Sequence, residues 1–163
     1  MSGMKKNIPN FITLLNLFFG CCAIASVLYG QFVQAFWFSL ASGAADYLDG
    51  ACARALKVKS PLGQQLDSLA DMVSFGAAPA LVMYEWALRD LGRIGWIAAF
   101  AYCVGAALRL ARFNTQLSVA DKRFFTGLPS PAAAALVAGM IWVLNDYQVK
   151  GGQVKWFAAA LTV

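Results

Sequence analysis

The chain has 163 residues, of which 60% are hydrophobic and 13% charged, and its mean hydropathy is +0.61. A soluble globule has nowhere to put that much apolar surface, so the composition excludes one and points to a membrane protein in a single domain, 1–163. The net charge of +5 does not indicate nucleic-acid binding, because no basic strip alternates with aromatics and the basic residues gather in particular loops.

Residues 1–7 read as a short cytosolic lead, with no small-residue cleavage site of the kind that ends a signal peptide. Between Lys6 and Asp46 lie 39 positions without a charge, enough for two spans with a turn at Tyr29-Gly30-Gln31. The first is expected over 10–29, with Thr13 and Asn16 as polar members near its start, and the second over 33–54, with Arg54 at its polar end. A basic linker carrying Lys57 and Lys59 follows. Ser60-Pro61 then makes a sound helix start, a capping hydroxyl before a proline at the first helical position. The third span, 61–86, holds Asp67 and Asp71 in its first turns, with Pro79 expected to kink it and Gly76 to permit close packing.

After a polar turn over 87–93, the fourth span covers 94–116 and carries Arg109 and Arg112 at its far end. A connector, 118–129, contains Asp121, Lys122 and Arg123; the alanine-rich fifth span follows at 130–145. Beyond a polar loop at 145–155, residues 156–163 are too short to cross. The fold class is therefore all-α, a polytopic transmembrane helical bundle of five spans plus the start of a sixth, with a C-terminal segment that either stops short or is missing. Nine Lys and Arg fall on the side of the N-terminus and four on the other, which places the N-terminus in the cytoplasm of an inner or cell membrane.

Four of the eight acidic residues lie between Asp46 and Asp71, in the pattern D-x2-D-G-x2-A-R-x8-G-x3-D-x3-D. Asp46, Asp49, Gly50 and Ala53 stand at i, i+3, i+4 and i+7, one helix face; Gly63, Asp67 and Asp71 at i, i+4 and i+8 form another. An aspartate near a helix end is ordinarily a cap or a solvated charge, but four at these intervals on adjoining helices converge. Carboxylates that close repel in a low dielectric, so they imply divalent cations. The four cysteines, Cys21, Cys22, Cys52 and Cys103, form no CxxC pair and there is no histidine, so any metal is oxygen-ligated: Mg²⁺, Mn²⁺ or Ca²⁺. Two such ions on shared carboxylates suit phosphoryl or phosphodiester transfer. Arg54 is placed for a phosphate oxygen, and Gly50 and Ala53 leave room for a flat group.

The string resembles the signature of the CDP-alcohol phosphatidyltransferases at all eight fixed positions: Asp46, Asp49, Gly50, Ala53, Arg54, Gly63, Asp67 and Asp71. PNFITLLNLFFG near the start, FGAAPA at 75–80, RLARFN at 109–114 and FTGLPSPAAAA at 125–135 look like the branch that forms phosphatidylserine. The resemblance implies that CDP-diacylglycerol is the donor and L-serine the acceptor. Asp46, Asp49 and Asp67 would be the main metal ligands, with Asp71 near a second ion and also the general base. Gly50, Ala53 and Arg54 would face the nucleotide, Gly63 would let two helices approach, and Thr13 would contact cytidine or phosphate. Arg112, Arg109 and Asn114 are candidates for the serine site, with Gly127 and Ser130 shaping it or simply turning the chain. It also implies a homodimer in the bilayer, with no nucleic-acid partner. A sibling acting on glycerol 3-phosphate or an inositol phosphate stays open, because Arg109, Arg112 and Lys122 could serve a phosphate. A cation transporter is a further alternative, although such proteins place acids nearer the midplane and carry internal repeats.

Overall fold

Within a bilayer every backbone N–H and C=O needs an internal partner, and long apolar runs meet that need as helices. The computed structural model describes residues 2–56, 61–116 and 130–146, together with Trp156, Ala159 and Ala160. Among them there is no strand. Five long helical stretches follow one another: α1 (Ser2–Leu28), α2 (Phe32–Leu56), α3 (Pro61–Leu91), α4 (Arg93–Gln116) and α5 (Ser130–Asp146).

Among the described residues, three helices are long and apolar enough to cross a membrane: Ile8–Leu28 within α1, Pro61–Leu91 and Arg93–Thr115 within α4. The expected second and fifth spans are also helices, with different credentials. α2 has 25 residues but carries Asp46, Asp49 and Arg54 in its second half, and α5 has an apolar stretch of Ala132–Leu144. The connector at 118–129, the linker at 57–59 and most of the C-terminal stub lie outside the described residues.

The outer surface is largely apolar, and the interior combines small and polar groups with an apolar cluster that includes Met83, Leu88 and Ile141. Phe11, Phe18, Trp37, Trp96 and Phe100 are exposed, while Ala23, Ala35, Ala78, Thr13, Asn16 and Ser42 are buried. α1 packs along α2 and across the start of α3, and α4 packs on the middle of α3. The α1–α3 crossing is close because of Gly20, where a Cβ would collide with the Ser74 hydroxyl. Gly30 and Gly92 sit at the α1–α2 and α3–α4 turns with φ of 71° and 56°, a region that favours glycine.

Pro79 acts on α3 as its missing N–H requires, with one difference from a simple kink. The helix widens into π turns over Met72–Ala77 just before the proline, and again over Tyr84–Leu88. The carbonyl four residues before Pro79, that of Phe75, accepts a hydrogen bond from Tyr102 Oη of α4 at 3.2 Å. A side chain from the neighbouring helix thus serves the backbone group that the proline deprives.

Candidate metal centre

The ends of α1, α2 and α3 meet around the aspartates. Asp46 and Asp49 come from one face of α2 and Asp67 from α3, and each offers a carboxylate oxygen within 4.8 Å of the others. Asp49 is buried, with 6% of its surface exposed, and the other two are half-buried. Oδ1 of Asp67 is buried and has no hydrogen-bond partner among the described residues. No described Lys or Arg forms an ion pair with any of the four aspartates; the described pair is Arg89–Glu85, on the third helix away from them. Three converging carboxylates, one with an orphaned oxygen and none with a cationic partner, form an all-oxygen donor set that fits a divalent cation.

α1 supplies the neutral groups that hold these acids. Thr13 Oγ1 stands 2.6 Å from Asp49 Oδ2 and 3.0 Å from the Pro9 carbonyl. A hydroxyl has one proton to give, and the short bond to a carboxylate is the stronger use of it. One turn further along α1, Asn16 Nδ2 reaches Asp71 Oδ1 at 3.4 Å. Asn16 is fully buried; its Oδ1 accepts from Ser42 Oγ at 2.5 Å and its backbone carbonyl from Ser74 Oγ at 3.2 Å. The site has two storeys, Thr13 with Asp49 above and Asn16 with Asp71, Ser42 and Ser74 below.

Over residues 6–163 the chain matches the family described as CDP-alcohol phosphatidyltransferase. It belongs to that family. Among curated relatives, a Helicobacter pylori protein named CDP-diacylglycerol–serine O-phosphatidyltransferase is 37% identical over 156 residues, covering 95% of this chain and 66% of the relative. A Bacillus subtilis protein of the same name is 37% identical over 138 residues, covering 85% of this chain and 77% of the relative. One from Mycobacterium leprae is 36% identical over 155 residues, with 92% and 51% covered. The chain thus spans between half and two thirds of the length of the Helicobacter and Mycobacterium relatives.

As a member of the CDP-alcohol phosphatidyltransferase family, with three helices among the described residues fit to cross a bilayer, the chain is an integral membrane protein with a candidate site for a divalent metal. Its remaining sequence candidates fall in different places. Arg54 folds back over Gly50, its guanidinium 3.4 Å from where a Cβ on that glycine would stand. Ala53, next to Arg54 in sequence, and Gly63, on α3, are half-buried. Asn114 of α4 donates to Ser68 Oγ at 2.8 Å, which ties the end of α4 to α3 one residue past Asp67. Arg109 is half-buried and Arg112 exposed on that same end. Lys122, Arg123 and Gly127 lie outside the described residues, as does the side chain of Ser130.

Sequence reasoning passed over Ser42, Ser74 and the role of Asn16. The signal was present in the spacing. Ser42 precedes Asp46 by four residues and Ser74 follows Asp71 by three, so each continues an aspartate face one turn deeper.

Proposed function

We propose that this chain transfers a phosphatidyl group from CDP-diacylglycerol to the hydroxyl of L-serine, giving phosphatidylserine and CMP. The observation that carries the reading is the convergence of Asp46, Asp49 and Asp67 within 4.8 Å, with Asp71 held beside them. The names of the relatives supply the donor and the acceptor.

Asp46, Asp49 and Asp67 hold the divalent cation, Mg²⁺ or Mn²⁺, with Asp71 adjoining a second. When bound, it neutralises the diphosphate and stabilises charge on the departing CMP. Gly50 and Ala53 present bare helix surface to the cytidine, and Arg54, already folded over Gly50, pairs with a phosphate oxygen. Gly63 keeps α3 close to α2. Thr13 acts through Asp49, whose carboxylate it orients, and not necessarily on cytidine itself. Asp71 takes the proton of the serine hydroxyl while the hydroxyl oxygen attacks the phosphorus that bears diacylglycerol. The bond from that phosphorus to the CMP oxygen breaks. Arg109, Arg112 and Asn114 line the acceptor side, with the arginines placed for the serine carboxylate.

The whole unit is one domain, its N-terminus and site face the cytoplasm by the distribution of Lys and Arg, and it works as a homodimer in the bilayer. CMP release from detergent-purified protein given CDP-diacylglycerol, Mn²⁺ and a panel of alcohols tests the acceptor. Release with L-serine alone is expected. Release only with glycerol 3-phosphate or an inositol phosphate would keep the donor chemistry and overturn serine, assigning Arg109 and Arg112 to a phosphate.

A further inference from the structure

Asp71 differs from the other three aspartates in how it is held. Its oxygens are not among the three that converge within 4.8 Å; it is hydrogen-bonded to Asp46, and its neutral partner is the amide of Asn16, 55 residues earlier in the chain. That amide is 0% exposed and its direction is set from the far side. Ser42 Oγ donates to Oδ1 of Asn16, which leaves the NH₂ group, a pure donor, to point at Asp71. The Asn16 backbone is anchored as well: its carbonyl accepts from Ser74 Oγ at 3.2 Å. Four residues on, Gly20 lets α1 approach Ser74 so nearly that a Cβ there would collide with its hydroxyl. The donor is therefore fixed by two other helices before it meets the carboxylate.

We propose that Asn16 is a positioning residue for Asp71: its buried amide, clamped by Ser42 and Ser74, holds one carboxylate oxygen of Asp71 so that the other is presented to the acceptor hydroxyl. This rests on the phosphatidyl-transfer reading above. A buried amide that served only as glue between apolar helices would act on stability and would have no preference among kinetic constants. A donor that sets the rotamer of the proton-accepting group acts on turnover, because misplacing a reacting group by about 1 Å costs on the order of 100-fold. The two roles separate in the kinetics. Binding of CDP-diacylglycerol depends on Asp46, Asp49, Asp67 and Arg54, none of which Asn16 touches.

The test compares parent, Asn16→Leu and Ser42→Ala in detergent, reading kcat and KM for CDP-diacylglycerol, Mn²⁺ binding by titration without substrate, and the thermal midpoint. Asn16→Leu keeps the volume and removes the donor. It is expected to lower kcat on the order of 10- to 100-fold. Its KM and its Mn²⁺ affinity should stay close to the parent's, and its thermal midpoint should fall only by the modest amount that losing one interhelical hydrogen bond brings. Ser42→Ala, which only frees the amide to turn, should lie between the two. Unchanged kcat in Asn16→Leu, or a fall matched by loss of Mn²⁺ affinity and of thermal stability, would overturn the positioning role. The parent assayed in parallel distinguishes the premise: no CMP release from it with any alcohol would overturn the phosphatidyl-transfer reading, and the role of Asn16 with it.

Discussion

At the scale of single residues, the site is defined by which acids have neutral partners and which have none. Asp49 has Thr13 at 2.6 Å, Asp71 has Asn16, and Asp67 keeps an oxygen with no partner among the described residues. In an apolar surrounding an unpaired carboxylate is costly, and a cation shared among three of them removes that cost. Thr13 orients an oxygen of Asp49 through one hydrogen bond to a charged group, a kind worth about 1.5–3 kcal/mol. Thr13→Val keeps the shape and deletes the donor. The Mn²⁺ concentration for half-maximal binding should rise roughly 10-fold, the equivalent of about 1.4 kcal/mol. A metal titration of the variant in detergent checks it. An unchanged titration would mean that Thr13 serves the Pro9 carbonyl alone.

At the scale of elements, α1 is a ruler laid across α2 and α3. Thr13 and Asn16, three residues apart on one face, each take one carboxylate, from α2 and from α3 in turn. The ruler works only if α1 lies close, and Gly20 is what lets it. Gly20→Leu would force the helices apart against Ser74, and overpacking of this kind costs about 1–3 kcal/mol. The thermal midpoint should fall, and Mn²⁺ affinity should weaken with it as Thr13 lifts away from Asp49. Much of this layer was legible in the sequence. The spacing of Asp46 and Asp49, and of Asp67 and Asp71, put each pair on one helix face, and 39 uncharged positions announced two helices. The partner of Asn16 was not legible. A hydrogen bond between residues 55 apart depends on how three helices cross, which no local period encodes. Pro79 was expected to kink α3; what the structure shows ahead of it is π turns, with the Phe75 carbonyl served by Tyr102, and that depends on the position of α4.

At the scale of the whole molecule, the chain turns many large apolar side chains outward and buries a polar network beside an apolar core. Trp37, Trp96 and Phe100 stand on the surface while Asn16, Ser42 and Ser74 are fully or nearly fully buried. In water this arrangement would be unstable; in a bilayer it leaves the interior free for a polar network and a charged site. Membership of the CDP-alcohol phosphatidyltransferase family and the cluster within 4.8 Å agree on what that interior is for. The measurement that tests this most directly is incorporation of radiolabelled L-serine into chloroform-soluble lipid, by purified protein given CDP-diacylglycerol and Mn²⁺. It should proceed in the parent, stop on addition of EDTA, and be absent from Asp71→Ala although that variant still binds CDP-diacylglycerol. Incorporation that persists in EDTA, or in Asp71→Ala at the parent's rate, would contradict the account.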